Sequence, residues 1–246
     1  ENFLDINKIE IPKIFKNIDL KKTYIFHHRQ KYYKGTSDLR GAELESYIKA
    51  IKFLISQEFN IIRLVNNNDE SLTLDSKFYY ELNIDEDKNK LIKFFLIYKA
   101  KGYIGTSSGP VSIASIFNKP ILETNVWGQH VNGHNDQSTF IMKKIKKNDV
   151  ILNYKSLIDL NYYRGEFQNF RKFKRDEYTI INNTEEEILD AFKYFFKINH
   201  NSIPDDELQI KFKESLPDYM DMKHLPSRIV PEFLSKNKEI FKGLIY

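Results

Sequence analysis

Two short stretches of this chain carry residue types that could do chemistry together. One is His27-His28-Arg29, closing the apolar run TYIFHHR; the other is Thr106-Ser107-Ser108-Gly109-Pro110, between GYIG and VSIASIF. On a strand, residues two apart face the same way, so His27 and Arg29 project together and His28 projects opposite. A guanidinium beside an imidazole suits a phosphate or carboxylate, because arginine offers either of them two parallel hydrogen bonds. In the second stretch Pro110 suits the first turn of a helix, and Gly109 lets backbone come close to a ligand. The free N–H groups of such a turn, the helix dipole and the hydroxyls of Thr106, Ser107 and Ser108 together make an anion site. Each stretch also has a plain structural reading: a strand-to-helix turn with an N-cap serine, hydrogen-bonded histidines, a surface arginine. The spacing matches neither G-x-G-x-x-G nor G-x-x-x-x-G-K-[ST], so it argues for neither a dinucleotide fingerprint nor a P-loop NTPase.

To act together, the two stretches must end strands at one sheet edge. TYIFHH (23–28), NIIRLV (60–65), KFYYEL (77–82), GYIG (102–105) and PILET (120–124) read as strands. The first lacks polar alternation, as in a strand covered on both faces. Residues 40–57 set Leu44, Tyr47, Ile48, Ile51 and Leu54 or Ile55 at helical spacing, and 87–100 and 110–117 also read as helices. Strands alternating with helices across short loops predict a parallel α/β sheet, whose ligands collect at the carboxyl ends of the strands. After Asn125 the regularity fades. STFIMKKI reads as one more strand, Thr184 and Glu187 form a capping box before a helix, and DDELQIKFKESL and VPEFLSKNKEIF read as two further helices. The expected organisation is a linker over 1–20, a Rossmann-like α/β domain over 21–150 and a mostly helical extension over 151–246.

Composition narrows the function classes. A chain of 246 residues that is 41% hydrophobic can bury a sizeable core, which excludes intrinsic disorder. The absence of cysteine excludes disulfides, thiolate metal sites and cysteine nucleophiles. A net charge of +4 without long basic blocks suits a small anionic ligand and gives no ground for a nucleic-acid partner. No run approaches the roughly 18 apolar residues of a membrane span, and no signal peptide opens the chain. Glu1 in place of methionine leads to the expectation that more chain precedes it.

Other candidates are weaker. Arg40, before the first helix, would reach a second phosphate or an acceptor carboxylate, or pair with Asp38 or Glu43. Asn125, after PILET, would read a base or ribose, or serve as a cap. Trp127 would stack on a base or sugar ring, or plug the sheet edge. His130 and His134, with Asp136 nearby, have the spacing of a helical zinc pair, but Gly128 and Gly133 argue against a helix. Asp85, Glu86 and Asp87 could hold magnesium, yet more simply charge a helix start. The basic stretch 171–175 is short and balanced by Asp176 and Glu177. No metal site is expected.

The ordered set H-x-R, "DLR…Y..AI..L", NIIR and "YIGTSSGP…A..F.KPI..TN" resembles a family of bacterial glycosyltransferases from surface-polysaccharide and protein-glycosylation gene clusters. The resemblance covers about residues 22–150, with TEEEILDAFKYF and VPEFLSKNKEIF matching the family's ending. More remotely, the His-x-Arg strand followed by a serine loop is similar to fucosyltransferase-type enzymes of GT-B architecture. The resemblance implies a fold like the donor-binding half of such an enzyme. Its donor would be a nucleotide-diphosphate sugar, its acceptor a glycan or other hydroxyl compound, with no cofactor. By that likeness Arg29 contacts the donor diphosphate and His27 is the motif's histidine, the two being the catalytic candidates; Ser107, Ser108 and Gly109 form the donor loop. The donor-binding set adds His28, Arg40, Thr106 and Asn125. The implied place is the cytoplasm, peripheral to the inner membrane face. GT-B enzymes have two halves, and this chain has room for one. The acceptor half either lies upstream of Glu1 or is absent from the protein; the alternative function is a non-catalytic nucleotide- or sugar-binding module acting with a separate transferase.

Overall fold

A computed structural model describes residues 9–10, 12–30, 39–85, 89–128, 131–159 and 178–246. Asp38, Glu86, Asp87, His130 and the basic stretch 171–175 lie outside the described residues. The expected strands form: β1 Thr23–His27, β2 Asn60–Val65, β3 Tyr79–Asn83, β4 Gly102–Gly105, β5 Ile121–Val126 and β6 Thr139–Met142. STFIMKKI turns out to hold two strands. After β6, Lys144–Lys147 is β7, which pairs antiparallel with β8 (Val150–Ile151) and β9 (Tyr178–Ile181) in a separate small sheet. A last short strand, β10 (Arg228–Ile229), returns to pair parallel with β6. The main sheet is thus seven-stranded and parallel, in the order β3-β2-β1-β4-β5-β6-β10.

That order is Rossmann-like. The sheet builds outward from β1 through β2 to β3 on one side and through β4 to β5 on the other. The carboxyl ends of β1 and β4 therefore flank the switch point, where crossing connections diverge and leave a crevice.

Helices cover both faces. The short α1 is Lys13–Lys16, α2 is Ile48–Ser56, α3 Asn89–Lys99, α4 Gly109–Ile116, α5 Tyr154–Asp159, α6 Glu185–Ile198, α7 Glu207–Ser215, α8 Asp221–His224 and α9 Pro231–Lys236. On one face, Tyr47, Ile51 and Leu54 from α2 and its preceding turn, with Ile188, Ala191, Phe192 and Phe195 of α6, bury Tyr24, Phe26, Ile61, Ile104 and Leu122. On the other, Ile92, Leu96 and Ile97 of α3 and Val111 and Ala114 of α4 bury Ile25, Ile62, Tyr103 and Ile121. Each such large apolar side chain, fully buried, contributes about 1.5–3 kcal/mol. Helix α6 begins where the capping box predicts, with Thr184 Oγ1 accepting from Glu187 N and the Glu187 carboxylate from Thr184 N. Among the described residues no helix is long and apolar enough to cross a membrane.

Candidate anion site at the switch point

Strand β1 pairs with β4 so that His27 lies opposite Gly105. A Cβ built on Gly105 would stand 1.8 Å from the carbonyl oxygen of His27, so no side chain fits there and the two strand ends run in close contact. Beyond the strands the contact continues. Thr106 N donates to His27 O at 3.2 Å, and Arg29 N donates to Thr106 Oγ1 at 2.9 Å. The two stretches that stand out in sequence are therefore bonded to each other across the switch point. Arg29 is half-buried, and its carbonyl accepts from Ala42 N at 2.8 Å, which holds the turn carrying Arg40 nearby with Arg40 itself exposed.

The loop's polar groups divide into those that build it and those that remain presented. Thr106 is fully buried and bridges the strand ends. The Ser107 hydroxyl donates to Glu123, whose carboxylate also accepts from Asn132 N at 2.8 Å and Asn132 Nδ2 at 3.0 Å. Ser108 takes the N-cap position of α4, but its hydroxyl meets Tyr103 Oη at 3.2 Å instead of capping the helix. The first helical N–H groups have no intrahelical acceptor, which leaves those of Ser108, Gly109 and Val111 aimed out of the helix start, Pro110 having none. Gly109 is exposed, and a Cβ there would meet nothing within 4 Å, so its glycine leaves the approach to these groups open.

The histidines take opposite roles. His28 is 2% exposed and stacks on Phe26 at 5.9 Å, with the Tyr47 ring 6.1 Å away, inside the α2 core. His27, by alternation with Ile25, faces the α3–α4 side, and Arg29 lies close enough to act on it. Burial, reinforced by Arg63, Arg29 and Lys93, pulls the His27 imidazole down to about 3, and burial with Arg63 does the same to His28. Both are neutral near pH 7, so His27 can donate a hydrogen bond but adds no charge. Positive charge around His27 comes from Arg29, Arg63 and Lys93, of which Arg63 is paired with Glu81.

Two charged residues unremarked in the sequence stand close by. Glu123 is 1% exposed within β5, and burial pushes its carboxyl above the ordinary range, against the pull of its Ser107 and Asn132 donors. Arg63 is fully buried in β2, its Nη1 2.7 Å from Glu81 Oε1. The signal in each case was a charge inside an apolar run, PILET and NIIRLV.

Asn125 is placed differently from the base- or ribose-reading role. It is fully buried at φ +53°, its Nδ2 donates to Tyr47 Oη at 3.1 Å, and its backbone and side chain exchange bonds of 2.7 and 2.8 Å with Asn183. Trp127 packs half-buried against the larger core, and His134 is exposed. Asp85 accepts from Asn67 N at 2.8 Å. Among the described residues no three His, Asp or Glu side chains group as metal ligands.

Fold and site together define an α/β protein of Rossmann-like order with an anion-suited switch point. No family model and no curated protein matches the chain. Among solved structures, Escherichia coli ADP-heptose LPS heptosyltransferase II is similar at 13% identity and a TM-score of 0.46, over 76% of this chain and 50% of that one. The matched region thus spans about half the length of that structure.

Proposed function

We propose that the protein binds a nucleoside-diphosphate sugar at the switch point and transfers the sugar to a hydroxyl acceptor. The observation that carries this reading is the Arg29 N to Thr106 Oγ1 bond, which joins the arginine-bearing strand end to the loop that opens α4. A diphosphate seated there would take the bidentate fork of Arg29 on one side and the N–H groups of α4 on the other.

In the transfer, the bond from the sugar's anomeric carbon to the diphosphate oxygen breaks, and the electron pair leaves with the nucleoside diphosphate. The acceptor oxygen forms the new bond and passes its proton to solvent water. Negative charge accumulates on the departing diphosphate, so groups fixed beforehand around that position lower the barrier. Arg29 supplies the full charge and α4 its partial charge. The neutral His27 is a second hydrogen-bond donor, Glu123 and Thr106 hold the loop that presents the amides, and Ser108 contributes a hydroxyl. With positive charge supplied this way, the reading assigns no metal and predicts that nucleotide binding survives excess EDTA. Nucleotide sugars are cytoplasmic compounds, which is where the reading places the chain. The glycan acceptor, and the upstream domain that would hold it, belong to the same proposal.

The test is a thermal-shift screen with GDP, UDP, dTDP and CMP against free monosaccharides. A nucleoside diphosphate should raise the melting temperature and monosaccharides should not. No response to any nucleotide would overturn the assignment.

A further inference from the structure

A buried guanidinium lies beside the end of β1, and the transfer chemistry makes no use of it. Arg63 is fully buried in β2, in register with Phe26 of β1 and Glu81 of β3. It therefore faces the α2 side with Phe26 and, two residues further along β1, His28. Of its five N–H donors, one on Nη1 reaches Glu81 Oε1 at 2.7 Å. That oxygen also accepts from Tyr79 Oη at 2.8 Å and Leu72 N at 3.0 Å, and Ser71 Oγ donates to Oε2 at 2.9 Å, so Glu81 is shared among four donors. On its other edge Arg63 is unmet: Nε and Nη2 are buried and find no acceptor among the described residues, and the same holds for His28 Nδ1. In a planar guanidinium the Nε–Nη2 edge lies opposite Nη1. A side chain that gives Nη1 to β3 thus turns this fork toward β1, where His28 stands. The charges bearing on His28 are those of Arg63 and His27, with no carboxylate among them.

We propose that the Arg63 fork and the His28 imidazole hold one small monovalent anion, of the size of chloride or formate, on the α2 face of the sheet. Buried donors cost free energy while unmet, most of all on a cation, and a single acceptor between them recovers it. Enclosure sets the size. All three nitrogens are shut off from solvent, which excludes a carboxylate or phosphate carried on a nucleotide, sugar or peptide. The ion would enter where the connection from β2 to β3, residues 66–78, closes over this face with Leu72 and Leu74 against the larger core. That connection has neither helix nor strand and is fastened to the cluster through Ser71 and Leu72, so it can open locally. The proposal stands independently of the nucleotide reading.

Thermal melting of the intact chain at fixed ionic strength tests it. Replacing sodium gluconate by sodium chloride or formate should raise the melting temperature by about 2–4 °C and then saturate. Arg29→Ala should keep this response, which separates the ion from any bound at the switch point. His28→Phe, which keeps the stack on Phe26, should raise the half-saturating concentration about ten-fold. Arg63→Met combined with Glu81→Gln removes the fork without stranding its carboxylate and should abolish the response. Crystals grown in bromide should show an anomalous peak within hydrogen-bond reach of Arg63 Nε and Nη2. Four results would each overturn the proposal: no response in the parent, an equal response in His28→Phe, its loss in Arg29→Ala, or ordered water without anomalous signal at the fork.

Discussion

The carboxyl ends of β4 and β5 look alike in sequence, since each passes from an apolar run into small polar residues: Thr106-Ser107-Ser108 in one, Thr124-Asn125 in the other. Their fates differ. At the end of β5 the polar atoms bond within the protein: Tyr47 Oη meets Thr124 Oγ1 at 2.6 Å, Asn125 bonds Tyr47 and Asn183, and Asn183 Nδ2 donates to Met142 O at 2.8 Å. This closed network ties β5 to the entry of α6, and burial within it pushes the Tyr47 hydroxyl up to about 12. At the end of β4 the inner half of the loop is likewise occupied, by Arg29 N and Glu123, but the outer half from Ser108 presents helix-start amides to open space beside Arg29. Polar residues at a strand end therefore mark a ligand site only where their hydrogen-bonding capacity is left over.

The largest effect expected from this contrast is at Arg29. Arg29→Ala should lower affinity for the best nucleotide by about 2–4 kcal/mol, roughly 30- to 1000-fold, while the melting temperature of the free protein stays nearly constant. Arg29→Lys keeps the charge without the fork and should recover only part. Calorimetric titration reads both, and a loss no larger than that from Lys211→Ala, a distant exposed site, would equate the two strand ends. Asn125→Ala should do the reverse. It strands the buried Asn183 N–H and puts alanine at positive φ, which together cost about 3 kcal/mol of stability in denaturant titration. The folded fraction should bind nucleotide as the parent does.

A pH series sharpens the contrast between the histidines. A histidine depressed from its ordinary 6.5 to about 3 contributes stability that is complete above 6.5 and is lost as pH falls toward 3. His28→Phe, which keeps the stack on Phe26, should therefore reduce the loss of stability between about pH 6.5 and pH 5 by on the order of 2 kcal/mol without changing nucleotide affinity. Glu123 has the opposite sign: its raised carboxyl favours the fold at acid pH and withdraws that contribution as pH rises from the ordinary 4.5. Ser108→Ala is the smallest change, about 1 kcal/mol in affinity, because the helix amides remain.

Much of the sheet was legible because its central strands are buried on both faces and read as unbroken apolar runs, as TYIFH and GYIG do. The α6 capping box was legible because it is local. Strand β10 was not: two residues pair with β6 across some ninety residues of chain, and no period of two fits into Arg228–Ile229. Within the site, the partnership of H-x-R with the serine loop followed from strand ends sharing an edge, but the division of labour inside the loop did not. That Ser107 turns inward to Glu123 while Gly109 faces out depends on Asn132 closing the carboxylate, a contact nine residues along the chain. The positive φ of Asn125, which commits it to Asn183, likewise has no signature in ILETN.

Amide hydrogen exchange, with and without a nucleoside diphosphate, tests the central claim most directly because it reads both strand ends in one experiment. The account predicts new protection at Ser107, Ser108, Gly109 and Val111 and no change at Thr124 and Asn125, which are already bonded. Protection confined to other regions, or equal changes at both strand ends, would contradict it.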